Sequence, residues 1–124
     1  MINQETIIAL ATPNGLGAIS VIRISGKEAI KITEKLFKGK NNKILSKQKS
    51  HTVHLGHLLK NGHELDEVLI SLFKGPHSYT GEDTVEISCH GSTYIQKEII
   101  DLFIDQGIRA VSYTHLRAHE TFAN

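Results

Sequence analysis

The stretch PHSYTGEDTVEISCHG, Pro76 to Gly91, gathers one cysteine, two histidines and three carboxylates. Cys89 beside His90 suggests a thiol nucleophile with its base. Consecutive strand residues point to opposite faces, however, so the two cannot easily share a proton. Cys89 falls in phase with Val85 and Ile87 and reads as a small core hydrophobe. His51, His54 and His57 resemble a metal cluster. On a strand, His54 faces away from the other two, and His51 and His57 stand about 20 Å apart. Metal ligands must converge to about 2 Å from one point. His115 and His119 have the spacing of a helical zinc pair, but Leu116 stands where that motif needs Glu, and no third ligand is evident. There is no G-x-x-x-x-G-K-[ST] loop, so nucleotide hydrolysis by this chain is not expected. NGLGAI lacks the full dinucleotide fingerprint and opens a strand rather than a helix.

Two residues stand out for a different reason. Arg23 lies between Ile22 and Ile24, and Glu86 between Val85 and Ile87, each in an apolar run that reads as a strand. Charges in such places are seldom fully buried unless paired. They form an ion pair with one another or reach solvent, or they grip a polar ligand in an apolar-walled pocket. Spacing alone leaves these alternatives open.

The elements that must position these residues follow from pattern. ETIIALAT and AISVIRIS read as strands joined by a TPNGLG turn. Ser25 and Glu28 have capping-box spacing, which predicts a helix from Ser25. Ala29, Ile32, Leu36 and Phe37 form its apolar stripe, and Gly39 stops it. HTVHLGHLLK and HELDEVLISLF flank Asn61-Gly62, a dipeptide suited to a type I′ hairpin. EDTVEISCH is a further strand. A second helix follows, with a Thr93/Gln96 capping box and a face of Ile95, Ile99, Leu102 and Phe103, ending before Gly107. The order β-β-α-β-β-β-α predicts an α+β domain with a small mixed, mostly antiparallel sheet and two packed helices.

The chain has 124 residues, 40% apolar and 22% charged, with a formal net charge of +1. One domain is the default, and the domain as a whole is not an electrostatic nucleic-acid binder. Its basic residues are uneven: from Lys35 to His63 there is no acid, and Lys35, Lys38, Lys40, Lys43, Lys47, Lys49 and Lys60 fall there. Around GKNNKILSKQKS this reads as a solvated, mobile loop, or alternatively as a surface that touches phosphates. No run of about 18 apolar residues spans a membrane. The opening residues carry an acid and no basic flank, unlike a secretory leader, and the single cysteine excludes an internal disulfide. A cytoplasmic location is the expectation.

TIIALATPNGLGAISVIRISG followed by PHSYTGEDTVEISCHG resembles the N-terminal domain of the tRNA-modification GTPases of the MnmE/TrmE family, from Thr6 to Ala110. The resemblance implies a homodimeric domain that binds 5-formyltetrahydrofolate or another reduced folate and is shaped like a tetrahydrofolate-binding module. It implies a full protein with a helical domain and an inserted GTPase using GTP, potassium and magnesium. With a flavoprotein partner of the MnmG/GidA type, that protein would place a folate-borne one-carbon unit on the wobble uridine of tRNA. Carried onto this sequence, the family's folate contacts fall on Arg23 and Glu86. A pterin offers an N–H and an amine side by side, which a carboxylate can accept, and Arg23 can donate to a carbonyl, formyl or carboxylate oxygen. A folate-dependent aminomethyltransferase fragment and a dimerisation module without ligand are the alternatives.

The resemblance gives residues 1–110 as the domain. Residues 111–124, VSYTHLRAHETFAN, have no sustained period of 2 or 3.6 and resemble translated adaptor read-through. They are expected to be a non-native or disordered tail that replaces a further folate-contacting lysine of the family. Folate binding by this chain is therefore expected to be weak or absent, with dimerisation retained.

Overall fold

A computed structural model describes residues 5–12, 17–76 and 81–111. Their strands form one sheet in the order β3-β4-β5-β6-β2-β1-β7. The strands are β1 (Ile7–Leu10), β2 (Ile19–Ser25), β3 (Phe37–Gly39), β4 (Thr52–Lys60), β5 (His63–Phe73), β6 (Thr84–His90) and β7 (Arg109–Ala110). All neighbours are antiparallel except β1 and β7. Two helices, α1 (Ala29–Leu36) and α2 (Thr93–Ile104), complete the mixed α+β fold that the element order predicts.

Alternation decides which side the core occupies. Ile8, Ile22, Ile24, Ile70, Leu72, Val85, Ile87 and Cys89 point to one face and pack with Ala29, Ile30, Ile99 and Phe103 of the helices. Burying a Leu or Ile side chain contributes about 1.5–3 kcal/mol, so this face holds most of the stability. The opposite face carries Arg23 and Glu86. It also carries four exposed aliphatics: Ile19, Val53, Leu55 and Leu69.

The hairpin forms as read: Asn61 and Gly62 both have positive φ, 52° and 80°, between β4 and β5. A bulge between Leu58 and Leu59 offsets the strand ends next to it. Four local expectations need correction. Ser25 does not cap α1, because it is the last residue of β2 and pairs with Ile7 and Thr84. The amide of Glu28 at the helix start instead donates to Thr6 Oγ1 at 3.1 Å. Gly26 permits that approach: its φ is 139°, and a Cβ there would lie 2.6 Å from Thr6 Cα. Phe37 and Gly39 do not continue or stop the helix but form β3, with Phe37 opposite Leu58. Gly56 lets the Phe37 ring cross β4, since a Cβ at 56 would meet that ring at 2.5 Å.

The third correction concerns GKNNKILSKQKS, which is folded against the body. It contains two short 3-10 turns, Lys40–Asn42 and Leu45–Lys47. Leu45 is fully buried in the main core. Ser46 N–H donates to Glu34 Oε1 at 2.8 Å, Lys74 Nζ to the Ser46 carbonyl at 3.0 Å, and Thr52 Oγ1 to the Lys49 carbonyl at 2.6 Å. At α2 the cap is Ser92 rather than Thr93: its side chain accepts from Ile95 N–H at 3.0 Å. Gln96 turns inward instead and meets Ser20 Oγ at 2.5 Å.

Val111 N–H donates to the Ile8 carbonyl at 2.9 Å, closing the β7 side of the sheet. The expected tail from Ser112 onward, with His115 and His119, lies outside the described residues, as do residues 13–16 and 77–80 of the two turn segments.

Candidate functional site: a charged pair on the open face

β2 and β6 are neighbours in a register that sets Arg23 directly opposite Glu86. Both side chains stand on the face away from the helices. Arg23 Nη2 lies 2.7 Å from Glu86 Oε2, and Nε donates to the same oxygen at 3.0 Å. Glu86 Oε1 takes no hydrogen bond among the described residues and keeps its acceptor capacity. The side chains are 23% and 27% exposed. A pair this wet contributes at most about 1 kcal/mol to folding. Its worth as a structural brace is therefore small, and both groups remain within reach of a solute.

The same row of the sheet runs from Ala9 on β1 through Arg23 and Glu86 to Ser71 on β5 and Val53 on β4. One row over stand Val21, Ser88, Leu69 and Leu55. There a shallow hollow of about 310 Å³ opens between Ile19, Leu55, Leu69, Ser88 and His90. The open face thus offers a cation, a carboxylate, two hydroxyls and an aliphatic floor. Alternation along the strand puts Ser88 on the Glu86 face; Ser71 was not singled out from sequence, and the pairing of β5 with β6 is what sets it opposite Glu86.

The other reactive side chains are tied elsewhere. Cys89 is buried on the core face, and burial, with help from the Asp66 charge, pushes its thiol up to about 12. It stays protonated at neutral pH. His90 points the other way and meets Asp66: its ring Nδ1 lies 2.6 Å from Oδ1, and its amide donates to Oδ2 at 3.0 Å. That partner is 24 residues away, so adjacency in sequence misled.

His54 is a core residue, with Nε2 2.8 Å from Thr52 Oγ1. Because that hydroxyl donates to Lys49, His54 Nε2 is the donor, and Nδ1 is left buried without a partner. Burial, reinforced by Lys43, lowers its pKa below 6.5. His57 lies on the other face near Glu64 and Glu67. Among the described residues no three His, Cys, Asp or Glu side chains are grouped to hold a metal.

The family model described as "GTP-binding protein TrmE N-terminus" matches residues 6–113. This chain belongs to the TrmE N-terminal family. Curated relatives agree with that assignment. The tRNA modification GTPase MnmE of Flavobacterium johnsoniae is 66% identical over 109 residues, covering 88% of this chain and 23% of the relative. The protein of the same name from Flavobacterium psychrophilum is 59% identical over 109 residues, covering 88% and 24%. That from Christiangramia forsetii is 56% identical over 107 residues, covering 86% and 23%. The chain thus spans about a quarter of the length of these relatives. Arg23 and Glu86 both lie inside the segment that the TrmE N-terminal model matches. No helix among the described residues is long and apolar enough to cross a membrane.

Proposed function

We propose that this TrmE N-terminal domain binds a reduced folate on the open face of its sheet, with Arg23 and Glu86 as the contacts. The observation that carries the reading is their register: two charges from different strands meet on the face that the main core does not use. Glu86 would accept the paired N–H donors of a pterin through Oε1, with Arg23 holding Oε2 in place and donating to a ligand oxygen. Ser71 and Ser88 supply further donors along the strands.

The four exposed aliphatics on this face favour self-association, and a two-fold homodimer is the commonest closed assembly. In the parent protein, this domain would present the folate's one-carbon unit for modification of the tRNA wobble uridine. It would work with a flavoprotein partner of the MnmG type and a GTPase region using GTP, potassium and magnesium, in the cytoplasm.

The resemblance sets a further lysine contact after residue 110. The test is therefore calorimetry with 5-formyltetrahydrofolate on a chimera carrying the F. johnsoniae continuation from that point. Arg23→Ala and Glu86→Ala should each weaken binding by about 5- to 150-fold, corresponding to about 1–3 kcal/mol for a buried polar group left unsatisfied. Unchanged affinity in both variants would refute the assignment. The 124-residue chain should bind more weakly than the chimera.

A further inference from the structure

Most of the basic residues described fall into two groups. Arg23, Lys60, Lys97 and Arg109 each meet a carboxylate: Glu86, Glu98, Asp101 and Glu5. Between Lys27 and Lys49 there are eight lysines and only two acids, Glu28 and Glu34. None of those eight lysines makes an ion pair among the described residues. Their placement is fixed, because α1 and the Leu45–Lys47 turn are both anchored in the core.

Lys27 and Lys31 join Lys74, from just beyond β5, around a concavity of about 520 Å³ that also touches Ser46, Glu34 and Asp83. Both carboxylates are occupied by backbone amides: Glu34 by Ser46 N–H at 2.8 Å, and Asp83 by Gly75 N–H at 2.9 Å. Both keep their negative charge, and the three lysines of the hollow outnumber them by one. Lys35 continues the helical stripe one turn on, about 6 Å further along the axis. Lys47 approaches from the 3-10 turn, close enough for its charge to act on Glu34.

We propose that Lys27, Lys31, Lys35, Lys47 and Lys74 form a docking surface for the phosphodiester backbone of a structured RNA. Ammonium groups that make no ion pair and are carried on a folded ridge are point-charge phosphate contacts. Segment 27–49 has no exposed aromatic, so it offers no platform for unstacked bases, and the contact is to backbone rather than sequence. Ile44 is its only exposed large aliphatic, short of the apolar face that a membrane-surface helix inserts. The choice of RNA over DNA rests on the proposed role in tRNA modification. The ridge lies on the helix side of the sheet, away from Arg23 and Glu86, so its test does not depend on folate.

Fluorescence anisotropy of labelled bulk tRNA with the full chain reads this directly. Five phosphate contacts predict a slope of log affinity against log salt of about −4.5, from about −0.9 per contact. The triple variant Lys27→Gln/Lys31→Gln/Lys35→Gln should lose at least tenfold in affinity and flatten the slope by about 3. Lys60→Gln/Lys97→Gln/Arg109→Gln removes the same charge from paired positions and should stay within about twofold. Circular dichroism confirms that both variants fold. Equal losses in the two triples, or no salt-dependent binding at all, overturns the site. Preference for an equal-length DNA duplex, or for vesicles with 30% anionic lipid, overturns the RNA assignment.

Discussion

Leu45 is the side chain on which the position of the lysine-bearing segment depends. It is fully buried, and it is the only core residue contributed by the chain between Gly39 and Ser50. Leu45→Ala removes about 1.5–3 kcal/mol of transfer free energy and leaves a cavity that the anchored α1 and Lys74 contacts keep from collapsing. Leu→Ala losses at such sites run about 2.7–5 kcal/mol; a turn at the rim relaxes more than a central strand, so about 3 kcal/mol is expected. Stability of a domain this size is about 5–15 kcal/mol, so the loss is a large fraction of it. Urea unfolding followed by far-ultraviolet circular dichroism measures it. With a slope of about 1–3 kcal/mol/M, the midpoint should fall by 1 M or more at unchanged slope. Leu45→Met should cost less than about 1.5 kcal/mol. A loss under about 1 kcal/mol for the alanine variant would show that the segment is not anchored by the core, and the fixed ridge would fall with it.

Other consequences are quickly checked. Cys89 should resist thiol reagents in the folded chain and react on unfolding; its raised pKa adds stability that is complete below about pH 9 and fades as pH rises toward 12. Rapid labelling under native conditions would contradict its burial. His54 has the opposite sign: its folded pKa lies below 6.5, so the unfolded chain takes the proton first and stability declines as pH falls below about 6.5. His54→Gln should flatten that part of the stability–pH curve, and an unchanged slope would move the effect to another group.

Much of the sheet was legible because its signals are local. Asn61-Gly62 sets the hairpin, and alternation assigns Ile22, Ile24, Val85 and Ile87 to the core. The juxtaposition of Arg23 and Glu86 was not given by spacing, which left an ion pair, solvent exposure and a ligand grip open. It follows from β2 and β6 being neighbours, with 63 residues between the two side chains.

The misses share a cause: the deciding partner lies far along the chain. Thr6 takes the Glu28 amide and leaves Ser25 to the sheet. Leu58 draws Phe37 out of the helical stripe into an edge strand. Asp66 claims His90. The lysine-rich segment looked solvated because its polar residues outnumber its one buried leucine, yet that leucine decides its place.

The central claim is that the open face around Arg23 and Glu86 holds the folate. Titrating 5-formyltetrahydrofolate into the nitrogen-15-labelled chimera, with amide shifts followed by NMR, locates the ligand. The account predicts saturable shifts centred on Arg23, Glu86, Ser71 and Ser88, with α1 and the Lys40–Lys49 segment unmoved. Shifts centred on α1, or none at millimolar folate, would contradict it.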